Sequence, residues 1–200
     1  SNIEKTVDID FPIGKKIVLY AGTFGNVNGL SYVNKLAKET LKLDPDLWYY
    51  LIGMGKEKED NIQEAKDLGV YEKNVFYFDP VRKLDLPYLY SMCTVGSSYV
   101  IDIPALWDNS ANKFFDTLAA KKPIVINHQG WQADTIKEEN IGYVLPPVVS
   151  HDTAVEFVSY MNNTELLNKQ GANSYELAKK EYSLEVAVEK YMKIIKSFDK

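Results

Sequence analysis

The chain is poor in the residues that mark several familiar classes of protein. It has one cysteine in 200 residues, Cys93, so it can form no internal disulfide and has no thiol pair at metal-ligand spacing. A lone cysteine fits a reducing compartment, and a cytoplasmic protein is expected. Arg82 is the only arginine and the formal net charge is −5. That leaves no basic face for neutralising a phosphate backbone, and no nucleic-acid partner is expected. The two histidines, His128 and His151, stand far apart, and no cluster of His, Cys and carboxylate has metal-ligand spacing, so no metal or other cofactor is expected. No apolar run approaches the roughly 18–20 residues that would span a bilayer.

What is present is the makeup of a globular α/β domain, with 46% hydrophobic and 26% charged residues. Ser1-Asn2 resembles the scar of a cleaved tag, and residues 1–14, punctuated by Pro12 and Gly14, read as tag remnant and linker. Residues 15–200 read as one domain. Short apolar runs at Lys16–Ala21, Trp48–Ile52, Val75–Phe78, Thr94–Tyr99, Pro123–Ile126 and Gly142–Leu145 suit buried strands. Helical spacing fills the intervals: Leu30, Val33, Ala37 and Leu41, then stretches near 58–68, 84–92 and 112–120. This alternation predicts a Rossmann-like, doubly wound parallel sheet of about six strands. After Pro147 only helical patterns follow, near 152–161, 165–180 and 184–195. Leu184, Ala187, Val188, Tyr191 and Ile195 form an apolar stripe that calls for a packing partner.

In such a sheet ligands bind at the carboxyl ends of the strands. The loop Gly22-Thr-Phe-Gly25-Asn26-Val-Asn-Gly29 places three glycines between a strand and a helix, which lets backbone approach a ligand, although plain turn chemistry explains it equally well. Gly53-Met54-Gly55 reads as a helix entry. Between residues 103 and 126, Asp108, Asn109, Ser110 and Asn112 crowd before a helix whose first turns carry Lys113 and Asp116. A diphosphate could sit on the helix N-terminus and Lys113 while Asp116 accepts two ribose hydroxyls. The other reading is that Ser110 or Asn112 simply caps the helix and Asp116 faces water. Both readings stand on these residues alone. Cys93 reads as a small buried residue, and His128 lies in a loop that approaches the same edge.

Asp108 and Asp116, eight apart, resemble the E-x7-E pattern of retaining GT-B glycosyltransferases of the family 4 group, with Asp for Glu at both ends. Asp108-Asn-Ser-Ala-Asn-Lys-Phe-Phe-Asp116 followed by Leu118-Ala-Ala-Lys-Lys-Pro123 is similar to the corresponding run of WbuB-like bacterial polysaccharide glycosyltransferases, as is Gly130-Trp131-Gln132. Tyr20–Gly25, Leu51–Gly55, Val75–Val81 and Tyr182-Ser183 extend the likeness from about Lys15 to Ile195. The resemblance implies the donor-binding C-terminal half of a hexosyltransferase, inactive without an N-terminal half that carries the acceptor site.

A UDP-, GDP- or ADP-sugar donor, a glycan or lipid-linked acceptor and a place at the inner face of the membrane are further implications of the resemblance. It gives Asp116 the ribose, Asp108 the donor sugar and Lys113 the diphosphate. Gly25 and Asn26 lie near that diphosphate, with Asn109, Ser110 and Asn112 at the same helix start. Val81 meets the base, and Gly130, Trp131 and Gln132 line the sugar end. Many relatives carry basic residues in the first loop, whereas Thr23 to Asn28 has none, leaving Lys56 and Lys58 as possible substitutes. A GT-B-like sugar-nucleotide epimerase and a non-catalytic α/β binding module are the alternatives.

Overall fold

The computed structural model describes residues 7–198. Six strands, β1 (Lys16–Ala21), β2 (Leu47–Ile52), β3 (Val75–Phe78), β4 (Val95–Ser98), β5 (Ile124–Ile126) and β6 (Gly142–Val144), form one sheet in the order β3-β2-β1-β4-β5-β6. All pairings are parallel. Helices alternate with them: α1 (Ser31–Leu43), α2 (Lys58–Asp67), α3 (Leu86–Met92), α4 (Asn112–Ala119) and α5 (Trp131–Glu139). Three more follow the sheet, α6 (His151–Met161), α7 (Thr164–Glu181) and α8 (Leu184–Phe198). This is the doubly wound α/β sheet with a helical C-terminal tail that the periodicity predicts. Strand order reverses between β1 and β4, and the loops that leave these neighbours diverge to opposite faces, opening a crevice.

Alternation along β1 and β2 divides the core. Val18, Tyr20, Tyr49 and Leu51 point to the face covered by α1, whereas Ile17, Leu19, Tyr50 and Ile52 point to the face covered by α3. Residues 7–14 form no helix or strand but are tied down: Ile9 is buried among the second group, and Tyr50 Oη donates to the Asp10 carbonyl at 2.7 Å. Cys93 is buried in the same group. The last helix departs from expectation. Leu184, Val188, Tyr191 and Ile195 of α8 are 52–75% exposed, so the apolar stripe that calls for a partner has no cover among the described residues.

The position of α4 is set by one close approach. A Cβ on Gly96 of β4 would lie 2.1 Å from Thr117 Oγ1 and 2.9 Å from Thr117 Cβ, so the helix sits where only glycine lets it. Both residues are buried. Gly96→Ala is expected to cost about 1–3 kcal/mol through overpacking and to lower the melting temperature by roughly 3–10 °C. Adding Thr117→Ala should recover most of that loss in thermal melts of the same pair.

Candidate functional site

The first two loops at the carboxyl edge are zipped together by backbone. Gly22 N donates to Ile52 O at 2.9 Å, Phe24 N to Met54 O at 2.9 Å and Glu57 N to Phe24 O at 3.0 Å. Gly53 and Gly55 make this possible: with φ of +147° and +155°, Cβ atoms there would fall 1.9 Å from the Gly22 carbonyl oxygen and 2.3 Å from that of Phe24. Gly53-Met54-Gly55 is therefore a cradle for the first loop as well as a helix entry, and two glycines one residue apart after a strand were its signal. From below, buried Tyr20 donates to the Thr23 carbonyl at 2.6 Å, and Asn28 Nδ2 donates to Tyr20 Oη at 3.1 Å. Asn26 turns its amide to the Glu57 carboxylate, and Gly25 stands beside it at the start of a single 3-10 turn, Asn26–Asn28.

Lys113 meets this loop from α4. A Cβ on Gly22 would sit 3.0 Å from Lys113 Nζ, and that ammonium lies 4.9 Å from the centre of the Tyr20 ring. The loop without a basic residue of its own thus receives a cation from the helix. Lys58 does not supply it, because its ammonium donates to Asp79 at 2.8 Å and to the Phe78 carbonyl at 3.1 Å. Lys56 is exposed. Burial holds the Lys113 ammonium below the ordinary lysine pKa, with Asp116 acting against that shift.

The capping expectation fails in an informative way. Neither Ser110 nor Asn112 caps α4; Ala111 occupies the cap position and no side chain bonds the first-turn N–H groups. Asp108, Asn109, Ser110 and Asn112 are all exposed around that start. It is therefore an open end with unpaired donors and the positive pole of the helix dipole. One turn on, half-buried Asp116 lines a cavity of about 310 Å³ with Lys83, Leu86 and Tyr90. Leu86 also lines a neighbouring cavity of about 240 Å³, formed with Gly22, Ile52, Met54 and Val81. Asp116 thus lines one cavity and Gly22 and Val81 the next, with Leu86 shared between them, while Lys113 reaches Gly22 from α4. Burial raises the Asp116 carboxyl above its ordinary pKa, with Lys83 and then Lys113 opposing. Lys83, 33 residues before Asp116, is a site residue that sequence spacing gave no reason to choose.

The expected sugar end is built differently from its sequence reading. Gln132 is fully buried and donates from Nε2 to the Asn109 carbonyl at 2.9 Å, so it meets the loop and not an open cleft. Trp131 packs its ring against Phe114, at 5.4 Å, and Phe115, at 6.3 Å. Gly130, at φ +91°, lies against the Trp107 backbone. His128 is buried with Nδ1 2.8 Å from the Gln129 carbonyl, and burial lowers its pKa. Among the described residues no three His, Cys, Asp or Glu side chains could hold a metal ion, and no helix is long and apolar enough to cross a membrane.

A doubly wound parallel sheet whose strand order reverses between β1 and β4 is a Rossmann-like domain, with its ligand crevice expected at this edge. The chain belongs to the family described as glycosyl transferases group 1, whose model matches residues 2–177. It is 27% identical over 138 residues to spore coat protein SA of Bacillus subtilis (strain 168), covering 66% of this chain and 35% of that protein. Among solved structures it is similar to a point mutant of S. aureus TarM in complex with Fondaparinux, alpha-GlcNAc-glycerol and UDP (TM-score 0.75, 17% identity, 96% of this chain and 37% of TarM). It is also similar to Anabaena Alr3699/HepE in complex with UDP and glucose (TM-score 0.76, 15% identity, 92% of this chain and 49% of HepE). The chain thus spans less than half the length of each of these relatives.

The raised Asp116 carboxyl has a consequence for stability. A carboxyl whose folded pKa lies above its unfolded value disfavours folding once it ionises, and the penalty is fully present above the folded pKa. Asp116→Asn is therefore expected to melt a few degrees higher than the wild type at neutral pH. The gap should close as pH falls through the folded pKa and below the ordinary carboxylate range, where the wild-type carboxyl is protonated folded and unfolded alike; melts across that range check it.

Proposed function

We propose that this chain is the donor-binding half of a glycosyltransferase, holding a nucleoside-diphosphate sugar in the recess at the β1/β4 switch point. The observation that carries the reading is Lys113, on the first turn of an α4 whose start no side chain caps, set against Gly22 with Asp116 one turn on. Lys113 and the free N–H groups of α4 take the diphosphate, with Gly25 and Asn26 at its border. Asp116 accepts the ribose hydroxyls, and Val81 and Leu86 wall the base. Asp108 faces the transferred sugar. No metal is required in this reading, because helix dipole and lysine carry the charge of the leaving diphosphate.

The intact protein then transfers a hexose-type sugar, with retention as in the family 4 and WbuB-like enzymes that the Asp108–Asp116 run resembles. Its acceptor is a bacterial surface glycan or a lipid-linked glycan at the cytoplasmic face of the membrane, met by an N-terminal half outside this chain. The TarM and HepE structures hold UDP, which supports UDP as the first base to try ahead of GDP and ADP.

Calorimetric titration of the chain with UDP, GDP and ADP tests the reading. One of the three is expected to bind, and Lys113→Ala and Asp116→Ala should each weaken it about tenfold to a hundredfold, as expected for losing a charged hydrogen-bond partner. Absence of binding by all three at millimolar concentration overturns it.

A further inference from the structure

Asp108 is exposed, and among the described residues no hydrogen bond or ion pair holds its side chain. Its backbone is nevertheless fixed, because the residues on both sides of it are braced by the start of α5. On one side, Gly130 lies so close to Trp107 that a Cβ there would be 3.0 Å from the Trp107 carbonyl oxygen. On the other, Gln132 Nε2 donates to the Asn109 carbonyl at 2.9 Å.

The chemistry of Gln132 shows that the second brace is not incidental packing. The side chain is fully buried, yet its Oε1 has no hydrogen-bond partner. Burying half an amide unpaired is unfavourable, and a methionine of nearly the same length would fill the space without that cost. What a methionine could not supply is the bond to Asn109. Trp107 Nε1 is likewise buried without a partner, so the brace on both sides of Asp108 is kept at the expense of polar satisfaction.

We propose that Gln132 is a positioning residue for the sugar end of the donor: through the Asn109 carbonyl it sets where the Asp108 carboxylate stands. The proposal rests on the donor-site reading above. It gives Gln132 control over the hold on the sugar and none over the nucleotide, which the donor-site reading assigns to Lys113 and Asp116.

The test titrates UDP and UDP-glucose into the wild type, Gln132→Met, Asp108→Ala and the double variant, with thermal melts alongside. Gln132→Met is expected to leave UDP affinity unchanged and to weaken UDP-glucose about tenfold, the worth of one well-placed hydrogen bond. Because the residue acts through Asp108, the double variant should bind UDP-glucose no more weakly than Asp108→Ala alone. Should Gln132→Met fail to fold, Gly130→Ala, which disturbs the brace from the Trp107 side, is expected to show the same selective loss. Equal losses for the two ligands, additive losses in the double variant, or unchanged UDP-glucose binding overturn the proposal while leaving the donor site standing. Flat titrations of the wild type with UDP, GDP and ADP and with their glucose derivatives overturn it too, and are recognisably a failure of the donor-site reading itself.

Discussion

Three elements meet at the backbone of Gly22, and the recess exists because nothing larger stands there. Its N–H is bonded to Ile52, its carbonyl is approached by Gly53, and the space its side chain would take is filled by the Lys113 ammonium. A Cβ at this position would make the lysine give by a few tenths of an ångström, whereas any Cβ at Gly53 must part the two loops. The loop after β1 and the loop after β2 are therefore held together by a contact that tolerates almost no change in volume, and α4 joins them through the end of Lys113. Everything assigned to the crevice inherits its position from that junction.

The same junction explains how a loop without arginine or lysine can still face an anion. The cation comes from α4, where it is more buried than a loop lysine would be and lies over the Tyr20 ring. Burial has two effects. It disfavours the charged form of both Lys113 and Asp116, and it removes the water that would weaken any charge brought between them. In the proposed reading an anion brought against Lys113 favours the charged form that burial opposes, so part of the binding strength is prepared in the fold.

Much of this was legible in the sequence because it depends on periodicity. Short apolar runs alternating with helical spacing predict the six-stranded parallel sheet, and a crowd of polar residues before Lys113 marks the start of α4, which no side chain caps. What was not legible depends on contacts between distant positions. Lys83 faces Asp116 across the groove between α3 and α4, and Gly53 serves a carbonyl 31 residues earlier. Composition misled at the start of α4, where Ser110 and Asn112 look like caps and Ala111 holds the position. At Gln132 a polar residue beside an expected sugar site reads as a ligand contact, although its amide is turned inward to the loop.

That last difference bears on how such sites tolerate variation. If the residues around Asp108 were each bound directly to the donor, changing any one would alter recognition by its own contact. In the proposed reading the exposed acid makes the contact, and its placement is delegated to a buried glutamine on the next helix and the glycine just before it. With Asp at both ends of the pair, where the pattern it resembles has Glu, that reading requires the loop that carries the acid to be held where the shorter side chain still reaches. The brace by α5 and the shorter acid are then two parts of one solution, and neither is intelligible from the ligand-facing residues alone.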